Sequence, residues 1–419
     1  MTIKSFVRKL IPKKVINIYH LGIAFLSALI YGFPSKKIKV IGVTGTNGKS
    51  TVISIACKIL EKAGYKVAAL TSITFKIGEN EEENKLKMTM PGRFVINKFL
   101  SEAVKAKCDY AIIETTSEGV EQNRHKFIDF KTAVFTTLNP EHIESHGSFE
   151  NYKRAKGKFF ESVKDTHIIN IDEHYAEYFL KFKAQKIITY GITSEKAEIR
   201  AKNVSVNYEG SCFEVNGFKF DLKILCSFNI YNALAAIALA VSEGISLEDC
   251  QKAISEVKQI AGRMEKVIDQ PFKVFVDYAF IPAALEKVYE FVKPEKGKLI
   301  AVLGACGGGR DKWKRPVLGG IADQYADLVI ITNEDPYDEN PQKIMDEVSV
   351  GVKNKNKLKK IFDRREAIHE ALLLAKEGDV VIITGKGCEP WICFEDGRKE
   401  PWDDRQIVRE EMTNIRIKN

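Results

Sequence analysis

The chain has 419 residues, 45% of them hydrophobic, which is enough for two or three domains with buried cores. The formal net charge of +8 suits a protein that handles anionic nucleotides, but the lysines are scattered and no basic stripe with aromatic residues indicates nucleic-acid binding. The eight cysteines occur singly, which disfavours a zinc site. We recognise no secretion signal, so reduced thiols and a cytoplasmic location are expected.

An apolar segment without charged residues extends over residues 15–35, with two lysines before it and two after it. Its length is near the minimum for a membrane-spanning helix, and the equal flanking charges give no orientation. Three interpretations remain, in order of preference: a helix packed on the catalytic domain, a helix lying in a membrane interface, and a true span. We therefore expect an apolar helical segment over residues 1–37, with membrane-surface contact as an alternative.

Strand and helix patterns alternate in the next part of the chain, which predicts a central domain over residues 38–260. Short apolar runs predict strands, and together they indicate a mostly parallel sheet covered on both faces. Residues 79–87 are polar and predict a loop, whereas alternation between 198 and 225 predicts an antiparallel patch. The predicted strands are 39–43, 65–70, 110–113 and 133–136, and the predicted helices include 51–63 and the Ala-rich 231–241.

The alternation restarts after Gly262 and predicts a second open α/β domain over residues 261–419. Its apolar strands are predicted at 274–276, 299–303, 328–331 and 380–383, with helical segments between them. The fold class is therefore α/β with two parallel-rich sheets.

The turn between the first strand and the first helix has the composition of a phosphate-binding loop. Glycines let backbone N–H groups converge on phosphate oxygens, and the helix N-terminus adds a partial positive charge. Lys49 would reach the β- and γ-phosphates of ATP, and the Ser50 hydroxyl would bind Mg²⁺. The spacing is not the strict Walker one, because a Gly lies four residues before Lys49 but not five. The loop residues are Gly45, Thr46, Asn47, Gly48, Lys49, Ser50 and Thr51.

Two side chains follow neighbouring predicted strands. Glu114 comes directly after the strand at 110–113, at the carboxyl edge where ligands bind in such sheets. His142 follows the strand at 133–136 after a short turn. Because Mg²⁺ prefers oxygen ligands, Glu114 is a candidate metal ligand. Alone, either residue would be unremarkable.

Together these segments resemble the Mur ligase family, which builds the peptide stem of peptidoglycan precursors, and the resemblance covers residues 38–419. It implies a P-loop central domain, a Rossmann-like C-terminal domain, ATP and Mg²⁺ as cofactors, and amide-bond formation through an acyl phosphate. Residues 113–124 are most similar to the ligases that add the third residue to UDP-N-acetylmuramoyl-L-alanyl-D-glutamate. Small-molecule substrates and a monomer are expected.

The resemblance gives roles to residues of the central domain. Ser50, Glu114, His142 and Lys156 would form the metal site, and Lys49, Glu114, His142 and Lys156 the catalytic set. Lys156 matches a lysine that is carbamylated in the family, which makes electrostatic sense because a bare ammonium would repel Mg²⁺. Arg124 would pair with the glutamate carboxylate of the acceptor substrate. The other acceptor-binding candidates are Thr89, Ser117 and Gln122.

The resemblance continues through the C-terminal motifs. Asn229 would lie near the adenine and Asp277 would bind ribose hydroxyls, whereas Arg263 and Arg310 would approach the ATP phosphates. Glu389 would hold the ammonium group of the incoming amino acid, beside Lys386. Three positions depart from the family pattern: Glu118 and Phe280 replace histidines, and Glu141 replaces an aspartate.

Two larger departures concern the substrates. The family carries an N-terminal UDP-binding domain of about a hundred residues, within the usual domain size, where this sequence has 37 residues before its first strand. Tyr337 stands where diaminopimelate-adding enzymes have the arginine of Asp-Asn-Pro-Arg. We therefore predict that diaminopimelate is not favoured, and that Glu334 and Asp335 suit a second amine, as in lysine or ornithine.

Three alternatives remain open from the sequence. A folylpolyglutamate-synthase-type or other Mur-like ligase on a substrate without UDP shares the loop and metal residues, but not the Gln122–Arg124 match. A membrane-associated ATP-binding scaffold would use residues 15–35. An ordinary P-loop ATPase is disfavoured, because no apolar run ending in Asp stands out.

Overall fold

The computed structural model describes residues 12–86 and 88–418 of the chain. Within these residues the backbone forms sheets of nine, six, three and two strands, and the α/β class is confirmed. Residues 1–11 of the predicted N-terminal segment, and Lys87 of the predicted loop, lie outside the described part of the chain.

The first part of the chain contains the nine-stranded and three-stranded sheets. Its helices are α1 (Lys13–Ile30), α2 (Lys49–Lys62), α3 (Arg93–Lys105), α4 (Ser117–Glu121), α5 (Ile143–His146), α6 (Phe149–Ser162), α7 (Ala176–Leu180), α8 (Phe228–Ser242) and α9 (Leu247–Ser255). Its strands are β1 (Lys39–Thr44), β2 (Val67–Leu70), β3 (Thr74–Ile77), β4 (Asn80–Glu83), β5 (Tyr110–Glu114), β6 (Phe130–Phe135), β7 (Thr166–Asn170), β8 (Lys186–Gly191), β9 (Ile199–Arg200), β10 (Lys202–Asn207), β11 (Gly210–Val215) and β12 (Phe218–Leu222).

The second part of the chain contains the six-stranded and two-stranded sheets. Its helices are α10 (Pro282–Val292), α11 (Lys314–Tyr325), α12 (Pro341–Ser349), α13 (Arg364–Leu374) and α14 (Asp404–Lys418). Its strands are β13 (Glu265–Ile268), β14 (Lys273–Asp277), β15 (Leu299–Leu303), β16 (Leu328–Ile331), β17 (Leu358–Lys360), β18 (Val380–Thr384), β19 (Trp391–Cys393) and β20 (Lys399–Pro401).

Strand β1 lies near the middle of the nine-stranded sheet, whose order is β4-β3-β2-β5-β1-β6-β7-β8-β9. It pairs in parallel with β5 on one side and β6 on the other, so the carboxyl ends of these three strands meet at one edge. Residues of β1 after Lys39 are buried, as expected for a parallel strand covered on both faces. Helices α2, α8 and α9 cover one face, and α3 and α6 cover the other.

The six-stranded sheet, ordered β13-β14-β18-β15-β16-β17, is parallel except at β13. Helices α10, α11 and α12 pack on one face, and α13 and α14 on the other. The predicted division near residue 260 falls between the last strand of the first part and β13. The three-stranded antiparallel sheet β10-β11-β12 confirms the alternation seen between residues 198 and 225.

Helix α1 accounts for most of the predicted apolar segment and packs against α3. The Ser27 hydroxyl accepts a hydrogen bond from the Asn97 side chain of α3 at 3.1 Å. In the described part of the chain, every helix is too short or too polar to cross a bilayer, so the spanning interpretation is not supported there.

The predicted loop over residues 79–87 is partly wrong. Residues Asn80–Glu83 form the edge strand β4, which pairs antiparallel with β3. The polar composition is explained by exposure of all four side chains of β4. Backbone pairing with β3, which periodicity does not reveal, makes the segment a strand.

The Arg364–Asp404 pair fixes α14 against α13 and yields a stability prediction. The guanidinium donates to both Asp404 carboxylate oxygens, at 2.8 and 2.7 Å, and both side chains are almost fully buried. Arg364→Met leaves Asp404 without its counter-charge, so we expect the free energy of unfolding to fall by about 3–5 kcal/mol. The neighbouring Arg365 is itself 42% exposed and pairs with Glu410 and Glu411 at the surface end of the helix pair, so Arg365→Met should cost clearly less, about 1 kcal/mol. Urea unfolding measures both, and equal losses would contradict the prediction.

Candidate active site

The predicted phosphate-binding loop connects β1 to α2 at the centre of the large sheet. Gly45 and Gly48 have positive φ angles of 152° and 84°, which favour glycine. A Cβ at Gly45 would overlap the Thr136 side chain, and one at Gly48 would overlap Asn232. Both positions therefore need glycine for backbone conformation and for close packing. The Lys49 ammonium folds back over the loop and donates to the carbonyls of Gly45 and Thr46, at 3.1 and 2.9 Å.

Glu114 lies at the carboxyl end of β5, directly beside this loop. Its Oε2 accepts hydrogen bonds from the Ser50 hydroxyl and from the Ser72 backbone N–H, both at 2.9 Å. Its Oε1 is 3.7 Å from the Lys49 ammonium. The carboxylate is thus oriented by three neighbours while it faces the same cleft as the loop.

This set of donors fits a magnesium ion that is bound jointly with nucleotide phosphates. Within residues 12–86 and 88–418, no group of three His, Cys, Asp or Glu side chains forms a metal cage. Magnesium does not require one, because it keeps several waters and is bound by one or two carboxylates together with substrate phosphates. The adjacent Ser50 hydroxyl and Glu114 carboxylate, next to the phosphate loop, supply the oxygen ligands of that arrangement.

Lys156 reaches the same cleft from α6 and is buried. Its ammonium donates to the Gly45 carbonyl at 2.8 Å and lies 4.7 Å from the centroid of the Tyr152 ring. Burial, reinforced by the charge of Lys49, lowers the pKa of Lys156 well below its usual range. Its amine is therefore neutral far more often than that of an exposed lysine.

His142 lies at the start of α5, in the left-handed backbone region. Burial, together with nearby cations led by Arg310, lowers the pKa of His142 to about 2. The imidazole is therefore neutral at physiological pH, which is the form that can bind a metal ion. Its Nδ1 is 3.5 Å from Glu118, the residue that replaces a family histidine.

The two halves of the chain meet beside His142. Lys314 of α11 donates to Glu141 at 2.8 Å, and both side chains are buried. The carboxylate of Asp311 accepts hydrogen bonds from the backbone N–H groups of Ile143 and Glu144, at 3.1 and 2.9 Å. Burial raises the pKa of Glu141, although Lys314 opposes the shift. These contacts hold the C-terminal half over the phosphate loop.

The predicted nucleoside-binding residues lie where the two sheets face each other. Asp277 ends β14 and accepts a hydrogen bond from the Met264 backbone N–H at 2.7 Å. The Arg263 guanidinium stacks on the Tyr278 ring, 4.5 Å from its centroid. Asn229 at the start of α8 donates to the Leu225 carbonyl at 2.6 Å.

A charged cluster lies on the C-terminal side of the cleft. Lys386 is fully buried and donates to both carboxylate oxygens of Asp335 and to Glu389, each at 2.9 Å. Glu389 also accepts a hydrogen bond from the Tyr278 hydroxyl at 3.0 Å. The cluster combines the Asp335 and Glu389 carboxylates with one buried ammonium. Glu334 lies deeper, where its carboxylate accepts from the Cys306 thiol.

Most of the predicted site residues line one cavity of about 390 Å³. These are Gly45, Thr46, Asn47, Gly48, Lys49, Ser50, Thr51, Thr89, Glu114, Ser117, His142, Lys156, Asn229, Arg263, Asp277, Arg310, Asp335 and Glu389. Gln122, Arg124, Glu334 and Lys386 do not line it, and their substrate contacts stay predictions.

Arg93, which the sequence did not indicate, lies beside Arg124. Arg93 donates to the Gln122 carbonyl, and Arg124 donates to the Met90 carbonyl and to the Gln122 side chain. Neither arginine forms an ion pair with a carboxylate of the described residues, and the Nε atom of each is buried without a partner. Burial and the neighbouring Arg124 lower the pKa of Arg93, as expected for two cations placed side by side. No local motif marks Arg93, because its environment is created by residues 122–124.

The phosphate loop lies at the carboxyl edge of a parallel sheet, and a second α/β unit that carries an acidic cluster covers it. This arrangement is the site of an ATP-dependent, ADP-forming ligase. Residues 43–240 match the model of the Mur ligase middle domain, and residues 262–387 match that of the Mur ligase glutamate ligase domain. The chain belongs to the Mur ligase family. Its sequence is 38% identical to the UDP-N-acetylmuramoyl-L-alanyl-D-glutamate–2,6-diaminopimelate ligase of Syntrophomonas wolfei, over 93% of this chain and 81% of that one.

Solved structures agree with this assignment. A structure of a UDP-N-acetylmuramoyl-L-alanyl-D-glutamate–2,6-diaminopimelate ligase has 30% identity and a TM-score of 0.62, and the match covers 90% of this chain and 79% of that one. Folylpolyglutamate synthase of Mycobacterium tuberculosis has a TM-score of 0.71 but only 16% identity, over 87% of this chain and 92% of that one. The second likeness therefore shows the shared fold alone.

Asp277 provides a pH-dependent test of this site. Burial raises the pKa of Asp277 to about 6, against opposition from Arg263, compared with 3.8 for an ordinary aspartate. Since the pKa is higher in the folded chain, ionisation of Asp277 makes folding less favourable as the pH rises through this interval. Asp277→Asn should therefore raise the free energy of unfolding by up to about 2–3 kcal/mol at pH 7.5 and have little effect at pH 4.

Asp323→Asn is the control, and it should change the free energy of unfolding in the opposite direction. The pKa of Asp323 is lowered, because hydrogen bonds from the Lys353 and Asn354 N–H groups outweigh its slight burial. Its loss should destabilise the protein at both pH 7.5 and pH 4, because the stabilisation by a lowered pKa is lost only as the pH falls below 3.8. Urea unfolding at both pH values checks both signs. If Asp277→Asn changed the free energy of unfolding equally at both pH values, the raised pKa of Asp277 would be contradicted.

Proposed function

We propose that this chain adds an amino acid to UDP-N-acetylmuramoyl-L-alanyl-D-glutamate in peptidoglycan precursor synthesis. The observation that carries the proposal is the single cleft that joins the phosphate loop, Glu114 and the acidic Glu389 cluster. Relatives at 34–38% identity over most of the chain are named as ligases for this acceptor. The paired Arg93 and Arg124, which lack a carboxylate partner, supply positive charge for an anionic acceptor.

In the first step, the acceptor carboxylate attacks the γ-phosphate of ATP and ADP leaves. Backbone N–H groups of the loop and the Lys49 ammonium neutralise the charge that develops on the phosphate oxygens. Ser50 and Glu114 would hold Mg²⁺ together with the phosphates, and the bound ion would supply further charge neutralisation. The product of this step is an acyl phosphate.

In the second step, the amine of the incoming amino acid attacks the acyl carbon and phosphate leaves. The Glu389 carboxylate, which lines the cleft, would hold the ammonium form, and this form must lose a proton before it attacks. Water would hydrolyse the acyl phosphate, so the cleft has to be closed. The Lys314–Glu141 pair and the Asp311 hydrogen bonds are the contacts that close it.

We propose the following roles for the other residues. Asn229 and Asp277 bind the nucleoside, Arg263 and Arg310 approach the phosphates, and Thr89 and Ser117 contact the acceptor. Lys386 is a positioning residue, since it is fully buried and holds Asp335 and Glu389. Residues 38–260 and 261–419 act as two domains that close on each other, and the enzyme works as a cytoplasmic monomer.

The folylpolyglutamate-type alternative has less support, because the identity to that enzyme is 16% against 30–38% for the muramoyl-peptide ligases. A scaffold without catalysis is disfavoured by the complete set of site residues that line one cleft, Lys49, Glu114, His142 and Lys156.

We propose that Lys156 is carbamylated. A neutral amine attacks CO₂ to give a carbamate and releases one proton, and the lowered pKa of Lys156 supplies that neutral form. The carbamate replaces a positive charge beside Lys49 with a negative one, which favours Mg²⁺ at this site.

The carbamate prediction is tested by removing CO₂. Activity should fall in CO₂-free buffer and recover with bicarbonate, and ¹³C-bicarbonate should give a carbamate resonance that Lys156→Met lacks. Lys156→Met should lower kcat by about 10²-fold or more. Lys153→Met, on the same helix but paired with the exposed Glu150, should leave kcat unchanged. Full activity without CO₂ would exclude the carbamate.

The amino acid that is added is tested with ATP-dependent phosphate release. With UDP-muramoyl dipeptide as acceptor, we expect lysine or ornithine to be preferred over meso-diaminopimelate, because Tyr337 lines the cleft where the distal carboxylate would need an arginine. Glu389→Gln should raise the KM for the amino acid about 10- to 100-fold, since it removes a charge-assisted hydrogen bond, without changing the KM for ATP.

Two outcomes contradict this account in different ways. Preference for meso-diaminopimelate, the amino acid in the relatives' names, would refute the specificity prediction and leave the ligase activity intact. Absence of turnover with every amino acid would instead refute UDP-muramoyl dipeptide as the acceptor.

A further inference from the structure

Helix α1 is packed with its small residues inward and its large apolar residues outward. Its buried residues are Ala24, Ser27 and Ala28. The exposed large ones are Val15, Ile18, Tyr19, Leu21, Phe25, Leu26, Leu29 and Ile30, and they range from 39% to 69% exposed. A helix on a globular surface normally shows the reverse, with its apolar stripe facing the core.

The exposed residues form one continuous face rather than scattered positions. At 100° per residue they occupy one half of the helix circumference, and between Val15 and Ile30 the one other residue on that half is Gly22. The face extends onto the neighbouring loop, where the exposed Phe127 ring lies 5.3 Å from the Phe25 ring. A contiguous apolar patch of this kind marks an interaction surface.

The charge of this part of the chain identifies the partner. Residues 1–60 contain ten lysines or arginines and no aspartate or glutamate, the first acidic residue being Glu61. Seven of the ten fall within residues 1–37, at positions 4, 8, 9, 13, 14, 36 and 37. Lys36 and Lys37 are exposed at the C-terminal end of α1, and neither forms an ion pair with a described residue. An exposed apolar face flanked by unpaired basic residues is complementary to an anionic lipid surface.

We propose that α1 lies in the plane of a membrane and docks the enzyme on an anionic lipid bilayer. The exposed face, Val15 to Ile30 with Phe127, enters the boundary between headgroups and acyl chains, and Lys36 and Lys37 contact lipid phosphates. A second copy of this chain would bring the same basic charges together, so the charge pattern favours lipid over self-association.

Docking places the acceptor end of the active site next to the membrane. The Asn17 side chain of α1 accepts a hydrogen bond from Asn123 at 2.6 Å, and Asn123 lies between the predicted acceptor-binding residues Gln122 and Arg124. The enzyme would thus bind or release muramoyl peptide at the membrane surface. The docking itself does not depend on the proposed substrate, because lipid binding is measured without it.

Flotation of the full chain with vesicles tests the docking. We expect binding to vesicles of phosphatidylcholine with phosphatidylglycerol, at least 10-fold weaker binding to phosphatidylcholine alone, and weaker binding at high salt. Ile18→Asp with Leu29→Asp should reduce binding at least 10-fold, while ATP-dependent phosphate release in solution stays unchanged. Lys36→Gln with Lys37→Gln should weaken the preference for anionic vesicles, because two of the seven basic residues within residues 1–37 are lost.

The matched control changes two exposed apolar residues elsewhere, Val350→Asp with Phe362→Asp, which should bind vesicles like the unchanged protein. Absence of binding to anionic vesicles, or equal loss in this control, would overturn the proposal. So would a dimer in analytical ultracentrifugation that Ile18→Asp with Leu29→Asp dissociates, because the face would then belong to a second copy. Loss of phosphate release alone would count against the proposed function and not against docking.

Discussion

Two buried ammonium groups, Lys49 and Lys156, face one carboxylate, Glu114, where the carboxyl ends of β1, β5 and β6 meet. Both ammonium groups donate to the Gly45 carbonyl, so the loop conformation depends on them. Burial disfavours each charge, and the shared carboxylate compensates only one of them. A bound polyphosphate, or the proposed carbamate on Lys156, would offset this imbalance. The site would therefore gain electrostatic stability on binding its ligands.

The loop glycines, the parallel strands and the C-terminal half position the residues of this site. Gly45 and Gly48 let the loop fold against Thr136 and Asn232, and the parallel strands bring Glu114 to the same edge. The C-terminal half adds Arg310, Asp277 and Glu389 only because Lys314 and Asp311 hold it against residues 141–144. Closure thus brings the proposed nucleotide-binding and amine-binding residues into one cavity, which a ligase needs if its acyl phosphate is to meet an amine before water.

Features encoded locally were predictable from the sequence, and features that depend on distant partners were not. The phosphate loop and the buried strands follow from short patterns, so their positions agree with the structure to within a few residues. The Glu141–Lys314 pair joins residues 173 positions apart. The environment of Arg93 is formed by residues 122–124, which lie about thirty positions further along the chain. Strand β4 was missed because its pairing, not its composition, defines it. Helix α1 was expected, but which half of it faces solvent required the packing against α3.

The central claim is that the acceptor carboxylate becomes an acyl phosphate in this cleft. The most direct test follows an oxygen atom from that carboxylate into the phosphate that is released. The glutamate carboxylates of the acceptor are labelled with ¹⁸O at all their oxygens, and the inorganic phosphate released during ligation is analysed by mass spectrometry. Because the oxygen that bonds to phosphorus leaves with it, each phosphate should carry one ¹⁸O atom for each amide bond formed. Phosphate without ¹⁸O, together with normal amide formation, would show that no acyl phosphate forms and would contradict the account.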